Sequence, residues 1–108
     1  MPQLKIRGIE AEKIKRISKE LIDELTEVVG CPRDYFTIEC FNTTSIFDGE
    51  IVQTYPFIEV AWFDRGQEVQ DKVAKIITKY IHSLNIESLD IAFTVFNKNS
   101  YYENGEHF

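Results

Sequence analysis

A strand–helix–strand pattern occurs twice in the 108 residues, and it constrains the fold more than any other feature of the sequence. In the first unit, residues 4–8 alternate between apolar and polar side chains, a helical segment follows, and residues 35–41 then have the composition of a strand. In the second unit, the apolar segment 57–63 precedes another helical segment and a strand at 89–96. Each unit predicts two parallel strands that are joined by a helical crossover.

Both helical segments carry one apolar stripe with three- and four-residue steps, which is typical of helices packed on a sheet. The stripes consist of Ile14, Ile17, Leu21, Leu25 and Val28 in the first segment, and of Val69, Val73, Ile76, Ile77, Tyr80, Ile81 and Leu84 in the second. Gly30 followed by Pro32 predicts the end of the first helix. Between the two units, Asp48-Gly49 predicts a hairpin.

These elements predict an α+β fold in a single domain over residues 1–108. Two β-α-β units form a four-stranded mixed sheet, and both helices lie on one face of it. The other face has no helix to cover it, and we expect it to be largely apolar, because segment 57–63 is apolar on both faces apart from Glu59. An uncovered apolar face on so short a chain favours an oligomer.

Composition excludes several classes of function. The chain has 12 basic and 18 acidic residues and a net charge of −6, so we expect no nucleic-acid or membrane partner. It has no run of 18 apolar residues and no signal-peptide pattern at its start. Its two cysteines, Cys31 and Cys40, lack metal-ligand spacing and favour a reducing compartment such as the cytoplasm. We expect neither a metal site nor a cofactor.

Pro2 is the first candidate for chemistry. Removal of Met1 would leave a secondary amine at the start of the first strand. An α-amino group titrates near pH 8, and an apolar pocket or a neighbouring cation lowers its pKa. A neutral amine on a rigid strand can act as a general base toward a proton next to a carbonyl. Proline at position 2 is also common by chance, so its context has to carry the interpretation.

That context resembles the tautomerase superfamily. The resemblance rests on Pro2, on the turn segment Cys31-Pro32-Arg33-Asp34-Tyr35-Phe36, and on the order and spacing of the two units over essentially the whole chain. The long branch, with macrophage migration inhibitory factor and 5-carboxymethyl-2-hydroxymuconate isomerase, is the better match, and an uncharacterised bacterial group within it is a further expectation. The resemblance implies a homotrimer in which the helix-free faces form an inner barrel and Pro2 lies between subunits.

The cytokine branch has a lysine at the position of Cys31. The residues that act together with Pro2 therefore have to be identified from this sequence alone. Arg33 is our candidate for binding a substrate carboxylate, since its planar guanidinium suits bidentate contact. The equal alternative for Arg33 is a turn residue that pairs with Asp34 or with the last carbonyls of the helix. Arg7 has the opposite parity to Pro2, so a surface role is favoured for it.

We therefore expect a cofactor-independent tautomerase or isomerase that moves a proton on a small α-keto or enol acid, with Pro2 as the base. The alternative is a non-catalytic ligand-binding or interaction protein on the same trimeric fold. A ferredoxin-like sensing module or a dimeric barrel that matches the pattern by convergence is a third possibility. We expect Tyr101 and Tyr102, in the polar tail, to pack against a neighbouring subunit.

Overall fold

The computed structural model describes residues 2–108 and contains two α-helices and eight strands in this region. In chain order they are β1 (Gln3–Arg7), α1 (Ala11–Val29), β2 (Thr37–Phe41), β3 (Ser45–Phe47), β4 (Glu50–Val52), β5 (Phe57–Trp62), α2 (Gln67–His82), β6 (Asp90–Val95), β7 (Tyr102–Glu103) and β8 (Glu106–His107). Short 3₁₀ turns lie at Arg33–Tyr35 and Lys98–Ser100. The first of these turns explains why β2 begins two residues later than the sequence predicts.

The main sheet has the strand order β2-β1-β5-β6. Strands β1 and β2 are parallel, β1 and β5 are antiparallel, and β5 and β6 are parallel. Each parallel pair is joined through one helix, as the two predicted units require. The predicted α+β fold with a four-stranded mixed sheet is therefore confirmed.

The core lies between the helices and one face of this sheet. Leu4 and Ile6 of β1 are each 1% exposed, and the alternate residues of β5 are as well buried. Further members of the core come from β5 and from the apolar stripes of both helices: Ile14, Leu21, Leu25, Ile58, Val60, Trp62, Val73, Ile77 and Ile81. Full burial of one such side chain contributes about 1.5–3 kcal/mol to stability.

Two glycines make the connections around α1 possible. Gly30 ends α1 in the left-handed conformation, at φ 75°, and its N–H donates to the Thr26 carbonyl at 2.8 Å. Gly8 links β1 to α1 at φ 82°, and a Cβ at this position would lie 2.8 Å from the Tyr55 carbonyl oxygen. The chain that enters β5 therefore passes directly against the start of this connection.

The helix-free face of the main sheet, which we name the open face, is not largely apolar, so that expectation was wrong. Strand pairing places Glu39 and Glu59 on either side of Lys5, and Phe41 and Phe57 on either side of Arg7. The segment 57–63 is apolar by itself, but its neighbour β1 puts two cations on this face. The face is consequently mixed in charge with two aromatic side chains at one end.

Exposed apolar surface lies instead on the β3–β4 hairpin, which the sequence predicted around Asp48-Gly49. Ile46 and Phe47 are each 72% exposed, and Ile51 is 77% exposed. Asp48 and Gly49 have φ values of 52° and 77°, as the tight turn of a two-residue hairpin requires. This hairpin therefore presents apolar side chains with no cover from its own chain.

A polar contact joins the two helices at their surface. Glu24 on α1 accepts hydrogen bonds from Lys79 Nζ at 2.6 Å and from the Tyr80 hydroxyl at 2.8 Å, both on α2. The hydrogen bond from Lys79 lowers the pKa of Glu24, and the hydrogen bond to Glu24 raises the pKa of Tyr80. Both pKa shifts therefore depend on the packing of α1 against α2.

The two shifts predict how stability changes with pH. The lowered pKa of Glu24 adds stability above the ordinary value of about 4.5, and this stability is lost as the pH falls through the folded-state pKa. The raised pKa of Tyr80 adds stability below about pH 10 that is lost as the pH rises further. We expect Glu24→Gln to flatten both slopes in urea unfolding measured across pH. An unchanged pH profile in this variant would contradict the role of Glu24.

Candidate active site

Pro2 is fully buried and lies immediately before β1. Its carbonyl oxygen accepts a hydrogen bond from the Thr37 N–H at 3.1 Å, which fixes it against the start of β2. On the other side, the antiparallel register pairs Gln3 with Ala61, so Pro2 lies beside the position of Trp62. Pro2 is thus held between two strands at one end of the main sheet.

Aromatic side chains surround this end of the sheet. Phe36 and Trp62, which flank the position of Pro2 on β2 and β5, are 8% and 1% exposed. The Trp62 ring packs on Phe93 with a centroid distance of 5.1 Å. The Trp62 carbonyl oxygen accepts the Phe96 N–H at 2.7 Å, which continues the β5–β6 pairing by one residue. The surroundings of Pro2 are consequently apolar on the core side.

The tail of the chain adds a second aromatic group at the same strand ends. Phe63 and Phe108 are stacked with centroids 5.2 Å apart, and Tyr101 lies edge-on to both rings. The Phe108 N–H donates to the Tyr101 carbonyl at 3.1 Å, so the tail folds back on itself. Tyr101, which we expect to pack against a neighbouring subunit, packs on these rings of its own chain. Tyr102 is 61% exposed.

Arg33 lies in the 3₁₀ turn between α1 and β2, and its guanidinium is turned toward α1. Its Nε donates to Asp23 Oδ1 at 2.9 Å, and its Nη2 donates to the Lys19 carbonyl at 3.3 Å. Both side chains of the ion pair are about half exposed. The partner is therefore Asp23, ten residues earlier in the chain, and not the neighbouring Asp34 that the sequence suggested.

The sequence did not indicate Arg65 as a site residue, because the segment Asp64-Arg65-Gly66 predicts only a turn. It follows β5 by three residues, at the end of the sheet that holds Pro2, and its guanidinium lies 6.0 Å from the centre of the Trp62 ring. Its Nε and the Trp62 Nε1 are buried and have no hydrogen-bond partner. The signal that locates it is the antiparallel pairing of β1 and β5, which a single sequence does not provide.

The remaining candidates lie elsewhere. Arg7 is exposed on the open face, as its parity predicts, with its guanidinium 4.8 Å from the centre of the Phe57 ring. Burial raises the pKa of the Cys40 thiol, so this cysteine stays protonated near neutral pH. His82 and His107 are both exposed. Arg7 and Cys40 therefore add no acid or base at the Pro2 end.

Within residues 2–108, no group of three or more His, Cys, Asp or Glu side chains is placed to hold a metal ion. Neither of the two helices described above is long and apolar enough to cross a membrane.

The family described as "Domain of unknown function (DUF1904)" matches residues 1–107. The chain belongs to this family. A DUF1904 domain from Sebaldella termitidis is 41% identical to it, with a TM-score of 0.90 and full coverage of both chains. No curated protein is similar enough to count as a match.

More distant solved structures share the fold of this DUF1904 chain. A macrophage migration inhibitory factor-like protein from Entamoeba histolytica has a TM-score of 0.74 at 24% identity, over 99% of this chain and 98% of the other. A fused 4-OT, described as an asymmetric trimer, has a TM-score of 0.79 at 12% identity, over 97% and 94% of the two chains. These likenesses show that the chain shares its fold with a macrophage migration inhibitory factor-like protein and with a fused 4-OT, which confirms the predicted resemblance at the level of the fold. The DUF1904 family is the uncharacterised group that the sequence led us to expect.

Proposed function

We propose that this DUF1904 protein is a cofactor-independent tautomerase in which Pro2, after removal of Met1, is the general base. The substrate is a small α-keto or enol acid, and the active form is a homotrimer. The observation that carries the proposal is the position of Pro2, which is fully buried and hydrogen-bonded through its carbonyl to Thr37 among aromatic side chains. The tautomerase fold adds support, because it accommodates such chemistry in other proteins.

The proton transfer needs only the amine and the substrate. The lone pair of the Pro2 nitrogen takes a proton from the carbon next to the substrate carbonyl. The electron pair of the broken C–H bond forms the carbon–carbon double bond, and the carbonyl oxygen takes the negative charge. Return of the proton from the ammonium to this oxygen gives the enol, and the reverse sequence gives the ketone.

The surroundings of Pro2 favour the neutral amine that this step requires. Apolar side chains such as Phe36 and Trp62 disfavour the ammonium form by desolvation, and a cation at Arg65 disfavours it further. A pKa below the ordinary range of an α-amino group raises the neutral fraction of the amine at neutral pH, as a general base requires. The secondary amine is thus suited to accept a proton under physiological conditions.

Two arginines are candidates for the substrate carboxylate. Arg33 is the candidate from the sequence, but in the structure it would have to release Asp23 and the Lys19 carbonyl before it bound a substrate. Arg65 has a buried Nε without a partner and lies over Trp62, beside the position of Pro2. Within residues 2–108, Arg65 has no ion pair to break before it binds a carboxylate, whereas Arg33 has one, so we favour Arg65 and keep Arg33 as the alternative.

The homotrimer is supported by surface that a single chain leaves uncovered. The β3–β4 hairpin exposes Ile46, Phe47 and Ile51, and isolated hairpins of this kind are normally covered in the native assembly. The radius of gyration is 15.0 Å, compared with roughly 13 Å for a compact chain of about this length. An extended shape with exposed apolar side chains fits a subunit better than a monomer.

The alternative is a non-catalytic ligand-binding or interaction protein on the same trimeric fold. It is favoured by the pairing of Arg33 with Asp23, which leaves the predicted carboxylate ligand occupied. In such a protein Pro2 would only fill the space between β2 and β5. The two functions differ in whether the amine of Pro2 is needed for turnover.

The first prediction concerns the amine. We expect tag-free protein, with loss of Met1 confirmed by mass, to catalyse keto–enol interconversion of phenylpyruvate. The variant Pro2→Ala and a form that retains Met1 should each lose turnover by about 100-fold or more, since general-base catalysis contributes about 10²–10⁴-fold. Retention of Met1 is the sharper control because it converts the same nitrogen to an amide. Equal rates in all three forms, or no turnover in any, would favour the binding protein.

The second prediction separates the two arginines. We expect Arg65→Ala to raise KM for phenylpyruvate by about 10- to 100-fold, because a charge-assisted hydrogen bond contributes about 1.5–3 kcal/mol. Arg33→Ala should change KM by less than about threefold. Arg16→Ala, on the exposed surface of α1, is the matched control. A large effect in Arg33→Ala with a normal Arg65→Ala would return the role to Arg33.

The third prediction concerns assembly. Light scattering coupled to size-exclusion chromatography should give three times the chain mass of 12.6 kDa at micromolar concentration. Phe47→Glu, at the exposed end of the hairpin, should shift the protein toward the monomer because it places a charge in apolar contact. Glu50→Gln in the same hairpin is the control. A monomer or dimer in the unmodified protein would contradict the trimer.

A further inference from the structure

Two buried N–H groups lie close together at the end of β5. Within residues 2–108, three buried polar side-chain atoms have no hydrogen-bond partner, namely Thr26 Oγ1, Trp62 Nε1 and Arg65 Nε. Thr26 lies on α1, whereas the Arg65 guanidinium lies 6.0 Å from the centre of the Trp62 ring. A buried indole N–H normally has a partner, because leaving it unpaired costs free energy, and two such groups side by side indicate a site for an external acceptor.

The chemistry of this donor pair defines what it can bind. An indole N–H and a guanidinium donate hydrogen bonds and accept none, so the complementary group must supply oxygen acceptors. Two carboxylates of the segment 59–65 are engaged elsewhere. Asp64 accepts the Gly66 N–H at 2.9 Å, within its own turn. Glu59 accepts the Thr94 hydroxyl at 2.7 Å, on the open face. The fitting partner is therefore an oxygen ligand from outside the chain.

Strand pairing places the donor pair beside the proposed base. The antiparallel register of β1 and β5 sets Trp62 opposite the position of Pro2, and both residues are fully buried. Pro2 also has the same parity as Leu4, whose side chain lies in the core. Side chains opposite each other on paired strands have Cβ atoms about 4.5–5.5 Å apart. A small substrate whose α-carbon meets the Pro2 nitrogen can therefore place its carbonyl oxygen at the indole N–H.

We propose that the Trp62 indole N–H donates a hydrogen bond to the carbonyl oxygen of the α-keto acid, while the Arg65 guanidinium holds the adjacent carboxylate. This inference rests on the proposed function, and it supplies a donor for the oxygen that becomes negative when Pro2 removes the proton. A hydrogen bond to a charged acceptor is about twice as strong as a neutral one, so this donor stabilises the enolate more than the ketone. The indole keeps its own proton throughout.

Arg65 controls access to the indole. Trp62 is 1% exposed and Arg65 is half-buried, so the arginine is the outer of the two side chains. Among the described residues, no ion pair holds its guanidinium in place. The turn that carries Arg65 also has space beside it, because a Cβ at Gly66 would meet no heavy atom of residues 2–108 within 4 Å apart from its chain neighbours. A carboxylate that binds this guanidinium thus arrives next to the indole N–H.

Trp62 is the one tryptophan of the sequence, which makes this hydrogen bond directly observable. In a proton–nitrogen correlation NMR spectrum of protein that has lost Met1, the single indole resonance should move downfield on addition of phenylpyruvate. Hydrocinnamate has the same ring and carboxylate without the keto oxygen, and it should move the resonance much less. This measurement uses the unmodified sequence and does not depend on turnover.

The variant Trp62→Phe removes the N–H and keeps an aromatic ring. With phenylpyruvate we expect kcat to fall by about 100-fold, since one oxyanion donor contributes about 10²–10³-fold. KM should change by less than about threefold, because the interaction strengthens in the transition state. Tyr80→Phe is the matched control. It also removes one donor from an aromatic side chain, but near the far end of α2, and it should keep the kcat of the unmodified protein.

The outcomes distinguish this inference from the function proposed above. An indole resonance that phenylpyruvate leaves unmoved, an equal shift with hydrocinnamate, or an unchanged kcat in folded Trp62→Phe would overturn the role of Trp62. If Trp62→Phe does not fold by circular dichroism, the NMR comparison of the two ligands decides. A downfield shift in a protein without turnover, or with turnover that survives Pro2→Ala, would overturn the proposed enzyme and leave the indole as the donor to the bound α-keto acid.

Discussion

The pairing of β1 on both sides is the constraint on which the rest of the structure depends. All five residues of this strand are paired with β2 and with β5. Because side chains alternate along a strand, a slip of one residue would move Lys5 into the core and Leu4 out of it. The burial of Leu4 and Ile6 thus fixes the register, and the register in turn fixes Pro2 between Thr37 and Trp62.

Local patterns in the sequence were sufficient to predict the helices and strands of the two β-α-β units. The end of α1 follows from Gly30, whose left-handed conformation is a local property of the chain, and the β3–β4 turn follows from Asp48-Gly49. The β7–β8 hairpin was missed although Asn104-Gly105 is the same kind of signal, with φ values of 52° and 88°. Its strands are two residues long, and so short a segment shows no apolar alternation.

The open face and the candidate site depend on pairing that no local pattern reveals. The apolar character of β5 was visible, but the charge of the open face comes from the contacts of β5 and β2 with Lys5 and Arg7. The positions of Arg33 and Arg65 likewise depend on contacts that no local pattern reveals. Arg65 gains its place from the antiparallel direction of β5, and Arg33 is held by Asp23 across a turn. Such contacts follow from the order of strands and the packing of helices, which must be known first.

In the proposed enzyme, the amine of Pro2 and the guanidinium of Arg7 lie at opposite ends of β1. A strand rises about 3.3 Å per residue, so Arg7 lies roughly 16 Å along the chain from Pro2, about twice the screening length at physiological salt. Arg7 therefore has little direct influence on the amine, whose nearer surroundings are the aromatic side chains of Phe36 and Trp62. In the proposed homotrimer, an effect of assembly on turnover would consequently come from groups that a neighbouring copy brings close to Pro2, and not from the charge of Arg7.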